Sequence, residues 1–291
     1  MEVIVWKYSG FCAGVNYTYQ RAVEEVKKGP TYCLGEIIHN KQVVEELENL
    51  GMVTIDDISF IPMGSRVIFR AHGESEKIYN LANKMNHYVI DLTCGRVKAI
   101  HIKVAKEKEN SFIIIIGKKT HPEIIGTLGF AGDNSYVIEN DEDIEEAYKK
   151  YLGSNLDNVY IVSQTTFSSS SFDSIVNKIK EVFKNVSIVV DKTICDATEK
   201  RQKEVEEISK KCTVMLVIGS ENSSNTRELY NIASKNCRKV YFVTDEESVT
   251  SLSFDDNDVV GVVAGASAPK YLIESIVNII NHSNYDIKKN E

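Results

Sequence analysis

The sequence predicts an α/β protein made of three related units, and three observations carry that reading. Short β-branched runs alternate with amphipathic stretches of 10 to 16 residues, the pattern of strands and helices in a largely parallel sheet. The isoleucine run at 113–116 has no polar face, which suits a strand covered on both sides. Polar loops recur at matched intervals. Cys12 to His39 is 27 residues, Cys94 to His121 is 27 and Cys195 to Ser223 is 28, while His121 to Thr165 and Ser223 to Ser267 are each 44.

Strands are expected over 2–7, 31–34, 66–70, 88–92, 111–116, 158–162, 186–190, 213–218, 239–243 and 258–264. Helical patterns fill the gaps: Val43, Val44, Leu47 and Leu50 share one face while Glu45, Glu46 and Glu48 point outward, and 98–110 and 197–211 repeat the arrangement. The spacing divides the chain into pseudo-threefold-related α/β domains at 12–93, 94–192 and 193–282. Each opens with a cysteine and then offers two polar loops. Because the strand ahead of each cysteine closes the preceding unit, segment 1–11 is expected to complete the third.

Composition narrows the function classes. With 43% apolar and 26% charged residues the chain reads as folded, and no apolar run approaches the roughly 18 residues that span a bilayer. A net charge of −8 argues against nucleic acid or an anionic membrane as the main partner, since phosphate contacts need Lys and Arg. Residues 1–7 lack a basic stretch ahead of their apolar positions, unlike a signal peptide, so the expected location is the cytoplasm. The six cysteines are then thiols or ligands rather than disulfides. Four prolines and no Gly/Ser-rich linker mean that the domains are closely joined.

Nine strand ends deliver Cys, His, Thr, Ser or Asn into short loops, and in α/β sheets that edge is where ligands bind. Cys12, Cys94 and Cys195 occupy equivalent loops, so pseudo-threefold symmetry can bring their thiols together. Cys33, Cys212 and Cys237 lie in a strand, at a helix-to-strand junction and near a helix end, and read as small structural thiols. Three thiolates without a fourth suit a zinc ion with an open position, or three irons of a cubane whose fourth iron stays open. Spacings of 82 and 101 residues do not choose between them.

His39, His72 and His121 follow strand ends in glycine- or proline-marked loops, whereas His87, His101 and His282 read as structural or solvated. Ser223, Ser224, Asn225 and Thr226 open a helix, a ready-made anion site, and Ser267 ahead of Pro269 repeats the pattern. With few Lys or Arg beside them, these groups point to a phosphate or diphosphate held by hydrogen bonds. Glu123, two residues past His121, is the natural proton donor beside such a pocket, and the Thr165 loop is placed to relay its proton.

Taken together, Gly10-Phe11-Cys12-Ala13-Gly14-Val15, Gly35-Glu36-Ile37-Ile38-His39-Asn40, Arg70-Ala71-His72-Gly73, Asp91-Leu92-Thr93-Cys94, His121-Pro122-Glu123, Gln164-Thr165-Thr166, Thr193-Ile194-Cys195, Ser223-Ser224-Asn225-Thr226 and Ala264-Gly265-Ala266-Ser267-Ala268-Pro269 resemble the 4-hydroxy-3-methylbut-2-enyl diphosphate reductases, the IspH or LytB family. The resemblance implies a trefoil of three α/β domains around a central iron–sulfur site. One [4Fe–4S] cluster would be held by Cys12, Cys94 and Cys195. His39, His72, His121, Thr165, Ser223, Ser224, Asn225 and Ser267 would bind an allylic diphosphate, and Glu123 would supply the proton. The implied reaction is the last step of the methylerythritol phosphate route, a two-electron reductive dehydroxylation giving isopentenyl and dimethylallyl diphosphate. It would be fed by an external donor such as ferredoxin or flavodoxin. Two positions depart from the family's pattern: Gly95 follows Cys94 where proline is frequent, and Ser9 precedes Gly10 where arginine is common. Two rival readings use the same cysteines. An iron–sulfur hydro-lyase acting on a phosphorylated substrate would need no reductant, and a non-catalytic cluster sensor would not need the Ser-Ser-Asn and Ala-Ser-Ala-Pro loops.

Overall fold

Strands and helices alternate along residues 1–7 and 9–287, which the computed structural model describes. Residue 8, inside the 1–11 segment assigned to the third domain, and residues 288–291 lie outside them. The chain opens with β1 (Glu2–Val5) and α1 (Ala13–Val26). Then come β2 (Thr31–Leu34), α2 (Lys41–Asn49), β3 (Met52–Ile55), β4 (Arg66–Phe69), α3 (Glu76–Lys84) and β5 (Tyr88–Asp91). The middle of the chain forms α4 (Gly95–Glu107), β6 (Phe112–Ile116), α5 (Pro122–Ala131), β7 (Ser135–Ile138), α6 (Asp143–Leu152), β8 (Asn158–Ser163), α7 (Ser169–Val182) and β9 (Ser187–Val190). The last third forms α8 (Asp196–Ser209), β10 (Val214–Ile218), α9 (Ser224–Asn236), β11 (Lys239–Val243), α10 (Glu246–Thr250), β12 (Val259–Ala264) and α11 (Lys270–Ile287).

Two compact units share these elements. The first comprises Met1–Asn16, His39–Val43 and the chain from Asp196 onward; the second comprises Tyr17–Ile38 and Val44–Cys195. The first holds a four-stranded sheet in the order β1-β12-β10-β11, and the second holds two, β3-β2-β4-β5 and β7-β6-β8-β9. Every pairing is parallel. The α/β class and parallel sheets are thus those expected from the sequence. No helix among the described residues is long and apolar enough to cross a membrane.

The isoleucine run behaves as its pattern demands. Phe112, Ile114 and Ile116 enter one core with Phe172 and Phe183, while Ile113 and Ile115 enter the opposite core with Ile124 and Val162. In the first unit β10 does the same: Val214, Leu216 and Ile218 face α11, and Met215 and Val217 face α8 and α9. Central strands of this kind bury both faces, and each fully buried aliphatic side chain contributes about 1.5–3 kcal/mol.

Two strands were not expected. β3 and β7 each have only four residues and sit at sheet edges, where one side of the strand has no partner. Val53 of β3 is nearly half exposed, so neither an apolar run nor a strict alternation marks the strand. What starts it is Gly51, whose φ of 103° turns the chain out of α2.

Candidate active site

In parallel sheets all strands end at the same edge, and the loops there run straight into helix N-termini. In the second unit, β4 leads to His72, β5 to Cys94, β6 to His121 and Glu123, and β8 to Thr165. Cys94 caps α4, and its N–H donates to Ala71 O at 3.0 Å, which ties the Cys94 loop to the residue before His72. His121 caps α5, with Pro122 supplying the preset first turn. Its Nδ1 accepts the Glu123 N–H at 3.2 Å, which leaves the neutral ring's proton on Nε2. The rings of His72 and His121 meet edge to face with centroids 5.3 Å apart.

Glu123 is 3% exposed, and Thr165 grips its carboxyl twice, through N–H to Oε1 at 2.6 Å and through the hydroxyl to Oε2 at 2.7 Å. Burial pushes the pKa of Glu123 up to about 7, although both Thr165 bonds oppose the rise. Thr165 O in turn accepts the N–H of Cys195 at 2.9 Å, so the acid, its partner and a cysteine form one hydrogen-bonded run. Cys195 stands immediately ahead of α8.

In the first unit, Cys12 stands immediately ahead of α1, where its Sγ accepts the Val15 N–H at 3.5 Å. Its own N–H donates to Ala266 O at 3.3 Å, joining the Cys12 loop to the one that carries Ser267. Ser223 caps α9 by accepting the Thr226 N–H. Ser223 and Asn225 are buried, and Ser224 is half-buried. The Oδ1 and Nδ2 of Asn225 and the Oγ of Ser267 are buried with no hydrogen-bond partner among the described residues. Buried polar groups are nearly always satisfied, so such atoms are what a hydrogen-bonding ligand leaves behind. Thr226 packs between Gly219 and Gly265: a Cβ on Gly219 would lie 2.8 Å from its Oγ1, and one on Gly265 would run into the same atom. That brings the loops after β10 and β12 side by side. His39 is half-buried and precedes Asn40, whose Oδ1 accepts the Val43 N–H at 3.1 Å and opens α2.

The two sets of cysteines differ in their surroundings. Cys12, Cys94 and Cys195 are half-buried, outside any disulfide, and stand at helix starts. Cys33, Cys212 and Cys237 are buried; burial pushes Cys33 up to about 12 and Cys212 up to about 11, which keeps both protonated. Gly95, at the first position of α4, would find open space around an added Cβ, so nothing there depends on the missing side chain.

Sequence reasoning gave no role to two arginines that set the loops. Arg201 is 6% exposed on α8 and donates to Gly10 O at 2.8 Å and to Ala197 O at 3.2 Å, so it holds the Cys12 loop against the first turn of α8. Arg70 pairs with Glu74 at 3.3 Å and fills the space that a Cβ on Gly35 would need. An arginine inside a polar helix carries no mark of burial; the glycines at 10 and 35, both with positive φ, were the available signal.

Comparison with known proteins gives the same picture across the chain. A 4-hydroxy-3-methylbut-2-enyl diphosphate reductase of Thermoanaerobacter sp. (strain X514) is 38% identical over 286 residues, covering 96% of each chain. One from Neorickettsia sennetsu is 35% identical, covering 96% of this chain and 91% of its own. Among solved structures, the E-1-hydroxy-2-methyl-but-2-enyl-4-diphosphate reductase from Plasmodium falciparum superimposes with a TM-score of 0.84 at 31% identity, over 96% of this chain and 87% of that one. A second, described as the terminal enzyme of the non-mevalonate pathway, gives 0.69 at 35% identity over 97% and 99%. Since the LytB protein model also matches residues 3–281, the strand-end loops described above lie within the matched region, and the chain belongs to the LytB protein family.

Proposed function

We propose that the chain reduces 4-hydroxy-3-methylbut-2-enyl diphosphate to isopentenyl and dimethylallyl diphosphate, with Glu123 as proton donor. This is the activity for which its relatives are named. Two electrons and two protons enter, the allylic C–O bond breaks, one proton leaves with the hydroxyl as water, and the other ends on carbon. The observation that carries the assignment is the buried Glu123 carboxyl, raised to about 7 and held at both oxygens by Thr165. An acid poised near neutrality is the form a general acid needs.

In this reading Cys12, Cys94 and Cys195 hold one [4Fe–4S] cluster; their half-burial and helix-start positions fit it, and the protonated Cys33 and Cys212 do not. When bound, such a cluster supplies electrons one at a time and an open iron as Lewis acid. A one-electron donor of the ferredoxin or flavodoxin kind matches that need. His39, His72, His121 and Ser224 bind the diphosphate together with Ser223, Asn225 and Ser267; the unpartnered atoms of Asn225 and Ser267 support this. Remote binding of the diphosphate then fixes the reacting carbon. When Glu123 carries its proton on Oε2, the 2.7 Å bond to Thr165 reverses: Oε2–H donates to Thr165 Oγ1, and the threonine's hydrogen turns from Oε2 toward substrate. The relay moves that hydrogen to substrate as Oγ1 takes the proton from Oε2. An anaerobic assay with and without dithionite tests the reading: product is expected only with reductant, and loss of water from substrate without it would establish the hydro-lyase instead.

A further inference from the structure

Behind His72 the chain makes an unusually close three-way contact. His101 projects from α4 and is 4% exposed. Its ring stacks on Phe130 of α5, with centroids 4.6 Å apart and planes 27° apart. The ring's edge occupies the space beside the residue that follows His72: a Cβ on Gly73 would lie 2.6 Å from His101 Cε1. Gly73 has a φ of 74°, and its N–H donates to Arg70 O, so the backbone turns tightly there. From the other side α5 presents Gly126, where a Cβ would lie 3.2 Å from Gly73 O and 3.5 Å from His101 Nε2. One turn further, a Cβ on Gly129 would run into Ser75. Helix α5 is thus laid directly on the 73–75 backbone, with the His101 ring as the third body in the joint.

We infer that His101 is a positioning residue, clamped with Gly73 and Gly126 so that the His72 ring keeps its place against His121. His72 hangs from one side of this joint, and His121 caps the helix that forms the other. Their 5.3 Å edge-to-face contact therefore depends on how closely α5 approaches Gly73. Shape, not charge, is what His101 supplies. Its Nε2 is buried without a hydrogen-bond partner among the described residues, and burial pushes its pKa down to about 4, so the ring stays neutral. A small flat ring fits between two glycine backbones where a bulkier aromatic would push them apart. Cys94 caps the same helix that carries His101, so the joint also fixes the Cys94 end of α4 relative to His72.

This inference rests on the reading of His72 as a diphosphate ligand, and the experiment separates the two. Holoenzymes carrying His72→Ala, His101→Ala, His101→Leu and Gly126→Ala are compared with wild type for iron content, KM, kcat and inhibition by inorganic diphosphate. His72→Ala should weaken diphosphate inhibition. Gly126→Ala, which adds one methyl against Gly73, should raise KM and weaken diphosphate inhibition by about tenfold, while iron content is kept and kcat stays within about threefold. At least one His101 variant should do the same. If Gly126→Ala and both His101 variants lose only melting temperature, with KM and diphosphate inhibition as in wild type, the joint is ordinary packing and the inference is wrong. If His72→Ala itself leaves inhibition unchanged, the anion-binding role of His72 fails, and the proposed consequence of the joint fails with it.

Discussion

Thr165 holds both oxygens of Glu123, its N–H donating to Oε1 and its hydroxyl to Oε2. Burial favours the neutral acid and these two bonds favour the carboxylate; the balance leaves the group near pH 7. Turnover limited by the protonated acid should therefore fall as pH rises through about 7. Thr165→Val removes the hydroxyl bond and keeps the N–H bond, so the Glu123 pKa rises further. The alkaline limb of the kcat profile should move to higher pH while the maximal rate drops with loss of the relay. A limb that stays in place would show that Glu123 does not set it.

Glu123→Gln keeps shape and hydrogen bonding but cannot supply a carboxylic proton. Turnover should fall about 10²–10⁴-fold, equivalent to roughly 3–5 kcal/mol of barrier. The spectroscopic response of the cluster to substrate should survive in the same sample. Near-normal turnover would make Glu123 a helix-start residue only.

The same substitution should change stability in a pH-dependent way. The folded-state pKa of Glu123 is raised from 4.5 to about 7, so the native state binds a proton that the unfolded chain releases. Wild type is unburdened below about pH 4.5 and is progressively destabilised as pH rises to about 7, by up to about 3 kcal/mol. Glu123→Gln escapes that cost. Its advantage in anaerobic melting should be small at pH 4.5 and full at pH 8.

Iron and sulfide analysis distinguishes the cysteines. Cys12→Ser, Cys94→Ser and Cys195→Ser should each lose stable iron, whereas Cys33→Ser, Cys212→Ser and Cys237→Ser should retain it. Full iron in any member of the first set removes that residue from the ligand set.

Ser267→Ala should separate binding from stability. The buried Ser267 hydroxyl has no partner among the described residues, a state that costs about 1–3 kcal/mol. Without substrate, the variant should melt at or above the wild-type temperature, yet inorganic diphosphate should inhibit it less. A loss of stability with unchanged inhibition would place the hydroxyl in the fold rather than in the pocket.

What could be read from sequence divides along a physical line. The 113–116 run was legible because a strand buried on both faces has to be apolar at every position. β3 and β7 were not, since four-residue edge strands borrow their stability from one neighbour and leave little pattern of their own. At the candidate site, the loops showed as departures from the α/β pattern, with polar residues clustered just after strands. The pairing inside them did not show. Thr165 lies 42 residues from Glu123, and nothing local encodes that both of its donors reach one carboxyl. His101 read as a structural histidine because helix periodicity reports which face is buried, not that the buried face meets two glycine backbones.

The pairing of β1 with β12 imposes an order of events on synthesis. Glu2 is matched to Val259, so the first strand waits with an open edge until the chain through β12 has been translated. The Cys12 loop waits with it, because the carbonyl that receives the Cys12 N–H belongs to Ala266, beyond β12. If the three cysteines hold a cluster as proposed, loading must follow translation through β12. A chain cut just before Val259 retains Cys12, Cys94 and Cys195, yet is expected to hold no stable cluster when reconstituted with iron and sulfide.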